Sequence, residues 1–361
     1  MHTATPSPVR GPARERANFL PLQRLIWPVL VVALALLSVF ALGRGAQKVF
    51  EPRGAIDLHP YWYYAHYIRA GVNPYTAFAE EAPLPAPVQY IDGSVVAPDA
   101  VRQPRLAQIP ANTAPLLFVF TLLSYFPWAT VRIVWLVICL MLVLAIPWLA
   151  LRLLPSSLQL GWGQKWMVAL AFYAMKGPRV AIANGQPSIL IFFLMILALL
   201  WRRHWLWAGL ALGLALSKYS IALPVALYLL FERRFRLLLV AALVQGVGLL
   251  GVAVLDGGGI VETVQVYLQM ALHFTDVAQG SVHLGSLLRD LPWLVMPLVV
   301  IGSLVTLLAV VISWRRGWAE IDLLAVNSLL LLWVLLASYH RVYDTMLMVF
   351  FWILCLSAAA Q

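Results

Sequence analysis

Apolar runs of helical length follow one another along this chain, and polar residues gather in the links between them. The runs fall at Leu25 to Leu42 and then at 130–151, 166–177, 188–201, 206–217, 219–231, 237–255, 291–313, 322–337 and 345–358, which predicts about ten crossings. A helix satisfies its own backbone polar groups in hydrocarbon, so such runs predict an all-α, polytopic integral membrane protein. A β-barrel would show short alternating segments instead. The stretch Ala114 to Phe126 is apolar too, but its 13 residues end at Pro127. At 1.5 Å per residue it cannot span a bilayer core of roughly 30 Å, and it is expected at the interface or dipping into a site. The runs 206–217 and 219–231 are short and meet at Lys218; short, interrupted helices are tolerated where they line a cavity.

Between the first and second crossings, residues 48–128 form a long outer loop, expected to carry juxtamembrane helices. Its part 81–112 is rich in proline, valine and alanine, with a turn at Asp92-Gly93. A second outer loop is expected at 256–290. Residues 1–24 read as a basic tail and 25–361 as a single transmembrane domain. The first run is long and lacks a convincing small-residue cleavage site, so it is read as a spanning helix and not a signal peptide.

Composition sharpens this picture. The 361 residues are 62% hydrophobic and 11% charged, against about 25% charged in a soluble domain. The net charge of +10 points to membrane topology and not to nucleic acid. With the tail inside, thirteen bases and only four acids fall on the cytoplasmic side, in the tail and in turns such as Arg202-Arg203, Arg233-Arg234 and Arg315-Arg316. That agrees with the positive-inside rule and predicts a multi-pass protein of the cell membrane with a cytoplasmic N-terminus. Cys139 and Cys355 lie inside apolar runs and suggest neither a disulfide nor a metal site.

The same topology places the polar chemistry on the external face, which suits an enzyme or receptor with an outward site. Asp57 follows the first helix and opens an aromatic stretch, with His59, Tyr61, Trp62, Tyr63, Tyr64, His66, Tyr67 and Arg69. It can serve as a general base on a hydroxyl or as the N-cap of the helix behind it. Lys218 is costly in lipid and suits an anion such as a phosphate, or it snorkels to the interface. Asn184 and Gln186 offer amides that bind sugar hydroxyls or cap helices. Tyr339, His340, Arg341 and Asp344 form a polar knot between two apolar helices, through an internal Arg341–Asp344 ion pair or through contact with substrate. His273, Asp276 and His283 share one loop, a weak metal pattern, and no metal is assigned. Gly257-Gly258-Gly259 lacks the strand–helix setting of a nucleotide site. Without a nucleotide loop, a sugar donor for this chain would be lipid-linked.

Four stretches together resemble a known family. They are Asp57 with Tyr63-Tyr64 and Ala70-Gly71-Val72-Asn73-Pro74-Tyr75; Asn184-Gly185-Gln186-Pro187 with a helix ending at Arg202-Arg203; 208–218, ending in Ser217-Lys218; and Ser338 to Asp344 before the last helix. The chain resembles the polyprenyl-phosphate-dependent glycosyltransferases of the C superfold, in particular the alpha-mannosyltransferase-like glycosyltransferase family 87. Where some members carry a His-His pair before the last helix, this chain has His340 and Asp344. The resemblance implies a glycosyltransferase C-type fold and an inverting transfer of mannose or another hexose or pentose from a polyprenyl-phosphate sugar to a lipid or glycan acceptor. It implies Asp57 as general base, Lys218 and Arg341 at the donor phosphate, and His59, Tyr61, Tyr64, Asn184, Gln186, His283, Tyr339, His340 and Asp344 around the substrates. No cofactor and no nucleic-acid partner are implied, and membrane lipids surround the bundle. A transporter or flippase of a lipid-linked or anionic solute is the alternative. It calls for repeat symmetry, which the chain does not show. A non-catalytic assembly partner in envelope biosynthesis is a third reading.

Overall fold

The computed structural model describes residues 20–80 apart from 53, the pairs 88–89 and 95–96, residues 113–315 apart from 156–157, 159, 256, 258, 278–283 and 289, and then 320–337 and 340–359. The described chain is helical except for one small antiparallel pairing, in which Val88 opposes Val96 and Gln89 opposes Val95. The helices are α1 (Leu20–Val49), α2 (His59–Arg69), α3 (Pro74–Ala79), α4 (Ala114–Thr121), α5 (Trp128–Leu151), α6 (Trp162–Ala174), α7 (Lys176–Ala183), α8 (Ser188–Leu200), α9 (Trp205–Ala215), α10 (Tyr219–Phe231) and α11 (Phe235–Leu255). After these come α12 (Ile260–Val277), α13 (Leu284–Leu287), α14 (Val295–Arg315), α15 (Glu320–Ala337) and α16 (Val349–Ala359). The protein is an all-α polytopic membrane protein. Among the described residues, five stretches are long and apolar enough to cross a membrane: Trp27–Val49, Trp128–Leu151, Trp205–Phe231, Phe235–Leu255 and Val295–Ile312. Helices α1, α11 and α14 turn large apolar side chains such as Phe40, Leu243 and Leu304 outward, as lipid contact requires. The face of α8 bearing Ile189, Phe192, Met195 and Ile196 is sealed inside.

Two breaks shape the site. The expected span 166–177 stops early, at Ala174, and α7 begins two residues later. Pro178 is the cause: a continuous helix would push its ring into the carbonyl of Ala174, four residues back. Met175 takes an extended conformation and turns the chain.

The second break is at Lys218. Trp205–Phe231 is long enough for one crossing, but a straight helix of that length would separate its ends by about 40 Å. Instead Arg202 and Glu232 form an ion pair of 3.7 Å. Gly209 packs on Val240 and Gly213 on Val244, with no room for a Cβ at either glycine. α9 and α11 therefore run parallel in close contact, and α10, which links them in the chain, runs back the other way beside them. The stretch is a helical hairpin whose tip is the 3-10 turn Leu216–Lys218. Each arm rises about 20 Å in a layer of roughly 30 Å. Were the basic turns at one surface of such a layer, arms of this length would leave the tip about 10 Å short of the other.

α4 fills the space above the tip. The Thr113 N–H donates to the Ser217 carbonyl at 3.0 Å, and α4 then follows α11, with Pro115 on Gly248 and Phe118 on Gly251. The 114–126 stretch thus packs along α11 and meets the hairpin tip at Ser217. At the far end, Arg233 lies over Trp314 at 5.8 Å and Arg202 and Arg234 share Glu232, so the basic turns gather on one surface.

Candidate active site

The loop after α1 is strapped to the link between α7 and α8. Ala55 N–H donates to the Ala183 carbonyl and Asp57 N–H to the Asn184 carbonyl, both at 2.9 Å. The strap places Asp57 Oδ2 where Asn184 Nδ2 and Gln186 Nε2 each donate to it at 3.1 Å. Arg341 Nη1 stands 4.0 Å from Oδ1. The capping alternative for Asp57 is overturned. α2 begins at His59 behind Leu58, which is itself in the helical region and makes no side-chain cap, so the carboxylate turns inward to the amides. It is 5% exposed. Burial pushes its pKa above the usual carboxylate range, while Arg341, the Asn184 hydrogen bond and Lys218 pull it back and Asp344 adds to the rise.

Lys218 lies near enough for its charge to act on Asp57. Its Nζ donates to Ser188 Oγ at 2.6 Å and to Asp344 Oδ1 at 2.7 Å, and lies 5.1 Å from the centre of the Tyr343 ring. The other carboxylate oxygen, Asp344 Oδ2, takes the Arg341 backbone N–H at 3.3 Å and faces His340 Nδ1 at 3.2 Å. The internal Arg341–Asp344 ion pair is therefore corrected. In the 3-10 turn Val342–Met348 Asp344 folds back onto the Arg341 backbone, Lys218 supplies its cation, and the Arg341 guanidinium reaches Asp57. One turn thus joins the acid after α1 to the lysine at the hairpin tip.

The sequence model of glycosyltransferase family 87 matches residues 112–339. The chain belongs to this family. Comparison with curated proteins and with solved structures gives no match. A family 87 protein is a membrane glycosyltransferase, and the matched range holds Asn184, Gln186, Ser188 and Lys218. Asp57, Arg341 and Asp344 lie outside the match and join these residues only through the fold.

The remaining expected residues divide. In this family 87 protein Tyr61 packs on Phe120, and burial together with the Asp57 charge pushes its phenol pKa up. His59 meets Trp128 edge-on at 4.9 Å and also packs on Trp62 and Tyr63. Tyr64 is fully buried between Tyr63 and Tyr67. The aromatic face of α2 is thus largely an internal shelf, held in part by the Trp62 Nε1 hydrogen bond to the Phe126 carbonyl at 3.1 Å. His340 is buried on Asp344. His283 and Tyr339 lie outside the described residues, as do the side chains of His273 and Asp276. Among the described residues no group of three metal-ligating side chains occurs. Ser188 is a further residue of the site, joined to it through Lys218. The available signal was a polar residue opening an otherwise apolar helix, directly after Asn184-Gly185-Gln186-Pro187.

Gly185 makes the strap possible. Its φ is +62°, and a Cβ there would meet the Cβ atoms of Ala55 and Leu58 at 3.0 Å. Trp135 Nε1 fixes its carbonyl at 2.8 Å. Gly185→Ala is expected to cost about 1–3 kcal/mol and to part the amides from Asp57. Melting temperature and transfer rate should then fall together. A variant with both at wild-type values would show that the strap tolerates the extra methyl.

Proposed function

We propose that this family 87 transferase moves a sugar, mannose or another hexose or pentose, from a polyprenyl-phosphate donor to a hydroxyl of a lipid or glycan acceptor. The observation that carries the reading is a buried carboxylate held by two amides and acted on by two cations, Arg341 and Lys218. Asp57 takes the proton of the acceptor hydroxyl. The freed oxygen forms its bond to the anomeric carbon as the bond from that carbon to the phosphate oxygen breaks. The electron pair leaves with polyprenyl phosphate, whose added negative charge Arg341 and Lys218 meet. Attack opposite the leaving phosphate inverts the anomeric centre. Asn184 and Gln186 orient the base, and Tyr61 borders the acceptor.

Depth supports a lipid-borne donor. The tip carrying Lys218 is sunk about 10 Å into the apolar layer by the length of its helices, a level that a phosphate on a lipid tail reaches from within the bilayer. The gathered arginine turns support a cytoplasmic far end, and so a pocket open to the periplasm or exterior of the cell membrane. Purified protein given polyprenyl-phosphate sugars and acceptor lipid should release polyprenyl phosphate and glycosylate the acceptor, while nucleotide sugars alone should not turn over. Turnover with the nucleotide sugar and none with the polyprenyl donor would overturn the donor assignment.

A further inference from the structure

We infer that Asp344 is a positioning residue of this site, a fixed anion that holds Lys218 and the turn bearing Arg341 in one ionic frame. The inference rests on the reading of Asp57 as the base and goes a step beyond it. Asp344 is 2% exposed, and both of its oxygens are occupied by the protein: Oδ1 by Lys218, Oδ2 by the Arg341 backbone N–H and His340. A carboxylate so engaged has little left to offer a sugar hydroxyl. It joins the hairpin tip to the segment before α16, and so sets the distance between Lys218 and Arg341.

Charge accounting gives the two cations different roles. Before transfer Lys218 faces Asp344 and Arg341 faces Asp57, so the four groups sum to zero. During transfer Asp57 takes a proton and becomes neutral, while the departing phosphate gains a negative charge. Arg341 then loses its anionic partner as the new anion forms. Lys218 keeps Asp344 throughout. Both cations face the developing charge, but Arg341 is the one freed to meet it, while the Lys218–Asp344 pair keeps its counter-ion and holds Arg341 in aim.

The groups facing Asp57 are Arg341 and Asp344 from the segment before α16, Lys218 from the hairpin tip, Asn184 and Gln186 from the α7–α8 link, and Tyr61 from α2. Removing the negative charge of Asp344 eases ionisation of Asp57; removing the positive charge of Arg341 hinders it. The test is steady-state transfer against pH for wild type, Asp57→Asn, Asp344→Asn, Asp344→Glu and Arg341→Gln.

Wild type should lose rate as pH falls through the Asp57 pKa, and Asp57→Asn should abolish that acid limb. Asp344→Asn should move the limb to lower pH and cut kcat about 10- to 100-fold, with donor and acceptor KM values within about twofold. Arg341→Gln should move the limb to higher pH. Asp344→Glu keeps the charge but lengthens the arm, so the limb should stay while kcat falls. If Asp344→Asn does not survive extraction, Asp344→Glu carries the test, and an unchanged kcat there overturns the proposal. A raised acceptor KM with an unmoved limb in Asp344→Asn also overturns it, by making Asp344 a substrate ligand. An acid limb that persists in Asp57→Asn overturns instead the assignment of the base.

Discussion

Asp57→Asn is expected to lower the transfer rate by roughly 10²- to 10⁴-fold, the usual range for loss of a general base, while leaving the protein folded. The substitution keeps the shape of the side chain, and its amide oxygen can still accept from Asn184 and Gln186, which now meet Asp57 Oδ2 at 3.1 Å. What disappears is the negative charge and the ability to take a proton. Burial is what makes this carboxylate useful. With its pKa raised by burial it holds a proton more firmly than an ordinary surface carboxylate does, and the Arg341 guanidinium at 4.0 Å pulls against that rise. Single-turnover transfer with prebound donor isolates the effect, because donor affinity should change little. Wild-type single-turnover rates in Asp57→Asn would remove this residue from the reaction.

Much of this architecture was readable as a pattern because lipid imposes strong rules on short distances. Helices of 11 and 13 residues on either side of Lys218 cannot cross alone, so a buried tip follows from length. Paired arginines at 202–203 and 233–234 have to share a surface for the same reason, and the Arg202–Glu232 contact is that expectation in atomic form. Partner choice was not readable. Whether Asp57 caps α2 depends on the backbone of Leu58, whose φ and ψ are helical, and nothing in the side chains of 57–60 announces that. Arg341 and Asp344 are three apart and of opposite charge, a spacing that by itself favours a local pair. The pairing changes because the 3-10 turn spends one Asp344 oxygen on backbone and His340, and Lys218 arrives from 126 residues away for the other. Ser188 became visible only when the tip of a different hairpin was laid beside it.

Lys218→Met should be the most destabilising single change in the site. It removes the cation 2.7 Å from Asp344 Oδ1 and leaves a carboxylate that is 2% exposed with only His340 and one backbone N–H. Breaking a buried pair from one side costs about 3–5 kcal/mol. The asymmetry of exposure makes the direction specific. The Lys218 side chain is 18% exposed and that of Asp344 2%, so an orphaned lysine can reach water along the pocket while an orphaned carboxylate cannot. Lys218→Met should therefore lower the melting temperature more than Asp344→Asn does. The double variant should recover most of the loss, because it removes the uncompensated charge along with its partner. Transfer should not recover with it, since the aim of Arg341 depends on the pair that both changes destroy. Melting in detergent and single-turnover transfer on the three variants separate the two effects. If the losses of the single variants simply add in the double, Lys218 and Asp344 are not energetically coupled, and the ionic frame proposed for this pocket does not hold it together.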